Sequence, residues 1–469
     1  TSNPSQTPST HQPSTLNTVA VLPFKAPADD ENSMLAEGLV EDIIDTLSTH
    51  QRSIRVRPWG AVATYTNAHG RDPQTVGQEL KVQKLIEGSV RRAGKRLQIR
   101  ARLISVEDGF QLWAQRFDCT IDEVFDVSDT VANAIADALG SSLSCTEDDL
   151  RNPEATSLYL NARQALRDHW NGAPEDLRRV IDLFEEVLTL APGSARTMAG
   201  AALAWARLVF INNDVHAPRA LELARQATAL GPNRAEPWFA LSMCLFYTGQ
   251  PREALHALTE AMHRAPDDDL IHELFGRILL EVDGPEIALR HFRRALRLNP
   301  RNTGLRWDHV RALALMGAWD RVDAMLAQPP SNPIERFLQD YVAARMALWR
   351  PNPVLPPRLT AVSHIETIEP VIQIIREVAL TRRLTQAHID LLDHRIATFN
   401  YSHRRLMLAY QINAELAAAG GRMDRCRAMV RTAMDAGLRD RVWLTRCPLL
   451  LELADDPDIA RLKTQAQFI

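Results

Sequence analysis

Residues 235–266 read AEPWFALSMCLFYTGQPREALHALTEAMHRAP, and residues 267–300 read DDDLIHELFGRILLEVDGPEIALRHFRRALRLNP. Offset by 34 positions, the two stretches superimpose: Ala254 on Ala288, Leu255 on Leu289, Ala261 on Ala295 and Pro266 on Pro300. Larger residues recur in the same frame, with Trp238, Leu241, Leu245 and Leu258 in the first copy and Phe275, Gly276, Leu279 and Phe292 in the second. Apolar residues three and four apart mark two amphipathic helices per unit. The small residues stand where those helices touch, and the larger ones fill the space between units. Proline closes each unit because it cannot continue a helix, while its fixed φ suits a helix start. One helical hairpin cannot bury its own apolar face, so about three or more must stack.

The period extends both ways. Ala220, Ala227 and Pro232 precede Ala254, Ala261 and Pro266 by 34. Phe184 and Pro192 close a still earlier unit, LFEEVLTLAP, whose step of 40 places six extra residues in INNDVHAP. Downstream, Gly317 matches Gly249 two periods on, but Val322 and Leu326 replace the expected Ala and Phe, so the repeat decays. Period and pattern resemble the tetratricopeptide repeat, W-x2-L-G-x2-Y, then A-x3-F, then P. The resemblance implies a solenoid, an architecture that mostly binds other proteins.

Ahead of the repeats the pattern changes. TVAVLPF (18–24) reads as a buried strand. MLAEGLVEDIIDTLSTH (34–50) carries Leu35, Leu39, Ile43 and Leu47 at helical spacing. IRVRP (54–58) is a second strand, and DPQTVGQELKV (72–82) a second helix with Asp72 as N-cap and Pro73 at its first position. KLIEGSVRRAG turns at Ala93–Gly94 into RLQIRARLISVEDG, which alternates Leu97, Ile99, Ala101 and Leu103 with Arg96, Gln98, Arg100 and Arg102. A turn at Asp108–Gly109 leads to the strand FQLWAQRFD, and a helix over 122–143 closes the series. The order β-α-β-α-β-β-β-α predicts one small α/β sandwich.

AVLPF, LAEGLVEDIIDTLS and VGQELKVQKLIEGSVRRAGKRLQIRARLISVEDGFQLWAQRFD together resemble the TolB-N-terminal-like domain of bacterial signalling proteins. The turn KAPADDENSM departs slightly from that family's usual acidic or asparagine-rich one. In that family the domain commonly follows a winged-helix, nucleotide cyclase or kinase domain, often with one membrane span between, and commonly precedes tetratricopeptide repeats. The resemblance implies an architecture and transfers no catalytic residue.

The expected fold is therefore a multidomain α+β chain. Residues 1–17, TSNPSQTPSTHQPSTLN, are too poor in apolar groups to fold and form a flexible linker. A TolB-N-terminal-like α/β domain covers 18–145, a tetratricopeptide-type solenoid 150–327, and degenerate helical repeats with a C-terminal cap 334–469. PEATSLYLNARQALRDHW (153–170) is the first helix after the sandwich, and the Pro-rich RPNPVLPPR (350–358) breaks the helical series.

The 469 residues carry a net charge of −4, with 45% hydrophobic and 24% charged residues, which suits an ordinary folded chain and argues against nucleic acid as main partner. No run approaches the 18 or so apolar residues of a membrane span. A linker at the start leads us to expect an upstream domain or anchor. The compartment follows from it: periplasmic if a membrane span precedes residue 1, otherwise cytoplasmic. The five cysteines, Cys119, Cys145, Cys244, Cys426 and Cys447, contain no C-x-x-C and give no disulfide framework. Cys244, inside a repeat helix, should be buried.

Catalytic motifs fail one by one. GSVRRAGK (88–95) has five residues between its glycines instead of four, Arg96 where Ser or Thr should bind magnesium, and a strand after it, so it is a hairpin rather than a phosphate loop. His272–Glu273 begins like H-E-x-x-H, but Gly276 replaces the second His. No catalytic residue, metal site or cofactor is expected. The arginine row Arg96, Arg100 and Arg102 reads as a solvated sheet face. The remaining candidate is the groove lined by the first helix of each repeat, whose exposed positions are expected near Arg207, Phe239, Met243, Tyr247, Glu273, Arg277, Trp307 and Arg311, although taken singly each, Phe239, Met243 and Trp307 above all, reads slightly better as core between repeats. Arginine with aromatics suits capture of a protein or peptide. The expected role is a non-catalytic sensory or interaction region of a bacterial signalling or transcription-regulatory protein, the other reading being a cell-envelope scaffold. A sheet edge in the α/β domain also offers a route to self-association.

Overall fold

The computed structural model describes residues 17–27, 30–48, 54–66, 71–93, 96–120, 124–139, 150, 152–170, 172–299, 302, 304–330, 333–353, 355, 368–399, 401–453, 456–457 and 460. The expected linker lies outside them except for Asn17, as do the hairpin tip at Gly94 and four of the nine residues of the Pro-rich break. The chain divides into two compact units, Thr1–Asp148 and Asp149–Ile469.

The first unit runs β1 (Asn17–Val21), α1 (Asp30–Ser48), β2 (Ile54–Val56), α2 (Trp59–Val62), α3 (Pro73–Leu80), β3 (Lys84–Ala93), β4 (Arg96–Ser105), β5 (Gln111–Thr120) and α4 (Val124–Ala138). Its sheet has the order β2-β1-β3-β4-β5. β1 lies parallel to β2 and β3, and β3, β4 and β5 form an antiparallel meander. The expected periodicity of α1 is realised: Leu35, Leu39, Ile43 and Leu47 are buried. Each contributes roughly 1.5–3 kcal/mol by leaving water. Along β4 Leu97, Ile99, Ala101 and Leu103 are buried, and Arg96, Arg100 and Arg102 on the other face are exposed. α3 is capped by the Asp72 side chain, which accepts from the backbone N–H of Gln74 and Thr75. It ends at Leu80, two residues sooner than its apolar pattern suggests, because Lys81 adopts φ 54°. α2 has no counterpart in the sequence pattern; four residues are too few to show a helical period. Gly88 is a strand residue beside the Phe24 ring, where a Cβ would lie 2.6 Å from a ring carbon. That glycine serves close packing within a hairpin.

The second unit is a helical solenoid of the tetratricopeptide type. Its helices are α5 (Pro153–Asp168), α6 (Pro174–Leu190), α7 (Ala195–Ile211), α8 (Ala217–Leu230), α9 (Ala235–Tyr247), α10 (Pro251–Arg264), α11 (Asp269–Val282), α12 (Pro285–Leu298), α13 (Leu305–Leu315) and α14 (Trp319–Leu326). There follow α15 (Pro333–Leu348), α16 (Glu369–Thr381), α17 (Gln386–Thr398), α18 (His403–Ala419), α19 (Met423–Asp435) and α20 (Arg441–Arg446). Consecutive helices pack as hairpins from α5–α6 through α11–α12. The small residues sit at the contacts: Ala254, Ala261, Ala288 and Ala295 are fully buried.

The repeat also shows how its spacing works. Gly276 of α11 faces Phe292 of α12, and a Cβ at Gly276 would lie 2.2 Å from the ring. The equivalent positions one period earlier are Ser242 and Leu258. As one residue grows across the units the other shrinks, which keeps volume constant at a close-packed contact. Gly249 and Gly317, matched in sequence, both take positive φ at the end of a first helix. There the next N–H bonds back to the carbonyl five residues before it, Gln250 to Leu245 and Ala318 to Leu313. The extra residues near INNDVHAP lengthen α7 to 17 residues against 13 for α9, and the connection after it gains a short 3₁₀ turn, Asp214–His216. The repeat weakens where expected: α14 has eight residues and buries only Val322.

The last helices close the array. One apolar core runs from Leu280 of α11 to Leu453 and contains Trp443, Cys426, Cys447 and Leu416. Within it Glu415, fully buried, accepts two bonds from Arg345 at 2.7 and 2.9 Å and one from Trp443 Nε1 at 2.7 Å. Burial opposes the Arg345 charge, but Glu415 outweighs it and raises the pKa.

Candidate functional site

The first helices α7, α9, α11 and α13 carry all eight candidate residues, but none is exposed. Met243, Tyr247, Glu273 and Trp307 are buried, and Arg207, Phe239, Arg277 and Arg311 are half-buried. The expectation of open groove positions is therefore corrected. Three-and-four spacing shows which helix face turns inward; it does not show whether later parts of the chain return to cover that face.

Two groups form around these residues. In the first, Arg207 donates to the Trp170 carbonyl at 2.6 Å and lies 5.1 Å from the Phe210 ring centroid. Phe210 in turn packs on Tyr247 with 4.8 Å between ring centroids. In the second, Arg277 bridges Glu273 at 2.6 Å and Asp308 at 2.8 Å. Burial works against the Arg277 charge, but Glu273 and Asp308 more than offset it and raise its pKa. Asn302 completes the group by donating to Glu273 at 2.5 Å. Trp307 lies under the Arg306 guanidinium, 5.6 Å from ring centroid to Cζ. Met243 is one of the buried residues of α9, and Phe239 is half-buried on the same helix.

What covers this face is the chain itself. The start of α18 lies along the C-terminal ends of α7, α9 and α11. Ser402 Oγ donates to the Phe210 carbonyl at 2.9 Å, and Arg405 Nη1 to the Ile211 carbonyl at 2.5 Å. These are among the last carbonyls of α7, which have no partner within the helix and carry its negative end. The backbone N–H of His403 donates to Asp214 Oδ2 at 2.7 Å. Arg404 forms a two-pronged pair with Glu281, one bond at 2.8 Å, and its guanidinium lies 3.9 Å from the Phe246 ring centroid. Arg311 bonds Asp440, which also caps α20 through the Trp443 N–H. Beyond these, Arg446 reaches Glu286 at 2.6 Å. Between the segment and the repeat remains a cavity of about 30 Å³ beside Phe246, Glu281, Arg404 and Asp440, room for about one water.

Phe246, Glu281, Arg404, Arg405 and Asp440 escaped the sequence reading. Glu281 was within reach, standing 34 residues after Tyr247. The arginines also left a trace. His403, Arg404 and Arg405 are three basic residues in the first turn of a helix, where the macrodipole disfavours cations.

Among the described residues no cluster of three or more His, Cys, Asp or Glu is placed to hold a metal, and no helix is long and apolar enough to cross a membrane. His272 Nδ1 and His291 Nδ1 meet at 3.1 Å, while His272 Nε2 meets the Pro266 carbonyl at 2.9 Å. Burial holds His272 neutral down to about 4, so its proton serves the carbonyl and His291 donates to the bare nitrogen. Cys244 is buried as expected, with its thiol pushed up to about 12 by burial. Cys119, Cys426 and Cys447 are also buried free thiols, and Cys145 lies outside the described residues.

The fold is thus a small mixed α/β sheet unit and a tetratricopeptide-like solenoid whose inner face is occupied in cis. Residues 14–137 match the family described as HilA/YgeH-like transcriptional regulator, second domain. A curated relative, putative adenylate cyclase 3 of Rhizobium meliloti (strain 1021), is 31% identical over 253 residues, covering 51% of this chain and 42% of the relative. This chain thus spans under half of the relative's length. Among solved structures, the thermophilic TPR protein TTC0263 of Thermus thermophilus is 17% identical over 41% of this chain and 95% of its own, with a TM-score of 0.30. A human IFIT1 dimer with m7Gppp-AAAA is 15% identical over 66% of this chain and 77% of its own, with a TM-score of 0.37. Likenesses this loose place no site.

Proposed function

We propose that this chain is the non-catalytic interaction region of a bacterial signalling or transcription-regulatory protein, with the solenoid as the surface that meets a partner protein. The observation that carries the proposal is the pairing of two parts: a helical-repeat solenoid, directly after a domain similar to one found in transcriptional regulators. The similarity to a protein named as a putative adenylate cyclase supports a signalling setting. We read the first unit as TolB-N-terminal-like, and the effector as a winged-helix activator or a nucleotide cyclase on the same polypeptide. Partner binding to the inner face would then alter the effector's association or orientation.

The test uses the full chain as bait in a lysate of the source cell, beside the variant Tyr247→Ala with Arg277→Ala, whose helical content is first checked by circular dichroism. The expected result is one dominant protein held by the parent chain and lost from the variant. Equal retention by both folded proteins refutes the inner face as the partner surface. The sequence encoded upstream of Thr1 tests the setting: a DNA-binding or cyclase domain supports signalling, whereas a lipoprotein signal supports a cell-envelope scaffold instead.

A further inference from the structure

We propose that the C-terminal ends of α7, α9 and α11 form a receptor for an arginine-bearing helix start, and that the chain's own Ser402–Arg405 is its resident ligand. The inference rests on the proposed partner-binding role of the solenoid and names the chemistry of the partner: a helix whose hydroxyl N-cap is followed by paired arginines.

The receptor is electronegative by construction. Two orphan carbonyls of α7, from Phe210 and Ile211, accept from Ser402 and Arg405. Asp214 takes the first N–H of α18, a donor that no helix satisfies internally. Glu281 and the Phe246 ring hold the Arg404 guanidinium from its edge and its face, a combination that suits arginine better than lysine. The negative end of α7 therefore meets the positive end of α18. This arrangement accounts for cations in a first turn, where a free helix would be weakened by them.

The resident ligand also borders a lightly packed part of the cap. The body of α18 is anchored, with Ile412, Ala414, Leu416 and Ala417 in the core. The segment before it is not: α17 buries only Leu392 among its thirteen residues, and Phe399 is exposed. Unwinding one turn at Ser402–Leu406 would free the receptor without disturbing Glu415 or Trp443. Segments with few buried apolar contacts open locally in this way. A partner with the same chemistry then competes with an occupant held at high effective concentration, so binding in trans is weak until the resident segment is loosened.

The experiment uses a fluorescein-labelled peptide of residues 402–413, SHRRLMLAYQIN, and the full chain, read by anisotropy. The peptide should bind the chain variant Arg404→Ala with Arg405→Ala at least about tenfold more tightly than the parent chain, because the competing occupant is weakened (about 1.4 kcal/mol). Adding Glu281→Gln to that variant should reduce binding at least about tenfold. Equal affinity for parent and variant, no binding to the folded variant, or indifference to Glu281→Gln each overturns the proposal. Hydrogen exchange on the parent chain gives a test that needs no variant. Saturating peptide should speed exchange at 402–406 while 412–417 stay protected, and unchanged exchange at 402–406 overturns the proposal. If the peptide fails while the full chain still retains a partner lost on Tyr247→Ala with Arg277→Ala, this inference falls and the proposed function stands.

Discussion

Exchanging the Gly276–Phe292 contact for the pair found one period earlier tests the packing rule of the repeat. In Gly276→Ser the new Cβ falls 2.2 and 2.3 Å from two carbons of the Phe292 ring, which is fully buried and close-packed. Overpacking of this kind costs about 1–3 kcal/mol, and serine returns roughly 0.5 kcal/mol of helix propensity over glycine. The single variant should therefore lose about 1–2 kcal/mol. Phe292→Leu leaves a partial void and should lose about 1–2 kcal/mol. Independent effects would put the double variant about 2–4 kcal/mol below the parent chain. If the two positions share one volume, the serine introduced at position 276 occupies the space that the smaller leucine at position 292 vacates. The loss should then be under about 1.5 kcal/mol, a coupling of about 1–2 kcal/mol. The contact of Phe292 with His309, at 5.5 Å between centroids, is lost on both arms of the cycle and cancels. The assay is urea unfolding followed by far-ultraviolet circular dichroism, with the slope m checked for constancy. A double variant whose loss equals the sum of the singles refutes volume sharing.

Three other outcomes follow from the same structure. Glu415→Ala leaves Arg345 buried and unpaired, and Trp443 Nε1 without its acceptor; the helical transition should lose about 3–5 kcal/mol, and a loss under about 1 kcal/mol would show that the pair is not buried as described. Ser194→Ala removes the buried N-cap of α7, whose Oγ accepts from the Thr197 N–H, and should cost about 1 kcal/mol in urea unfolding; an unchanged midpoint would refute the capping role. Burial first and Asp268 second push Asp269 up to about 7. A carboxyl raised in the folded state contributes stability fully below its unfolded value near 3.8 and loses it as pH rises through about 7. Asp269→Asn should therefore be more stable than the parent at pH 8 by on the order of 1–2 kcal/mol, the low end because the α11 N-terminus favours the charge, and the advantage should vanish towards pH 4. His272 titrates with the opposite sign, losing stability as pH falls below 6.5 towards about 4, so the readout is the difference between the two proteins. A difference that does not vary with pH would refute the shift.

The repeat was legible because its information is local and redundant: the 34-residue frame assigns α9 to α12, their alanine contacts and the glycine turns several times over. The alternation in β4 likewise fixed which face carries Arg96, Arg100 and Arg102. α2 was not legible, since four residues cannot display a period. The candidate site fell between these cases. Period alone placed Tyr247, Arg277 and Arg311 on the inner helix face, but the cover over that face comes from residues more than a hundred positions away: Arg404 on Glu281, and Asp440 on Arg311. No spacing rule reaches that far. What the sequence does carry is a local conflict, Ser-His-Arg-Arg at the start of a helix whose dipole opposes those charges. Local choices normally agree with the fold they serve. An arginine pair at a helix start therefore asks for a compensating acceptor elsewhere, and here α7, Asp214 and Glu281 supply it. The same conflict at the first turn of another protein's helix would be the feature to seek in a partner.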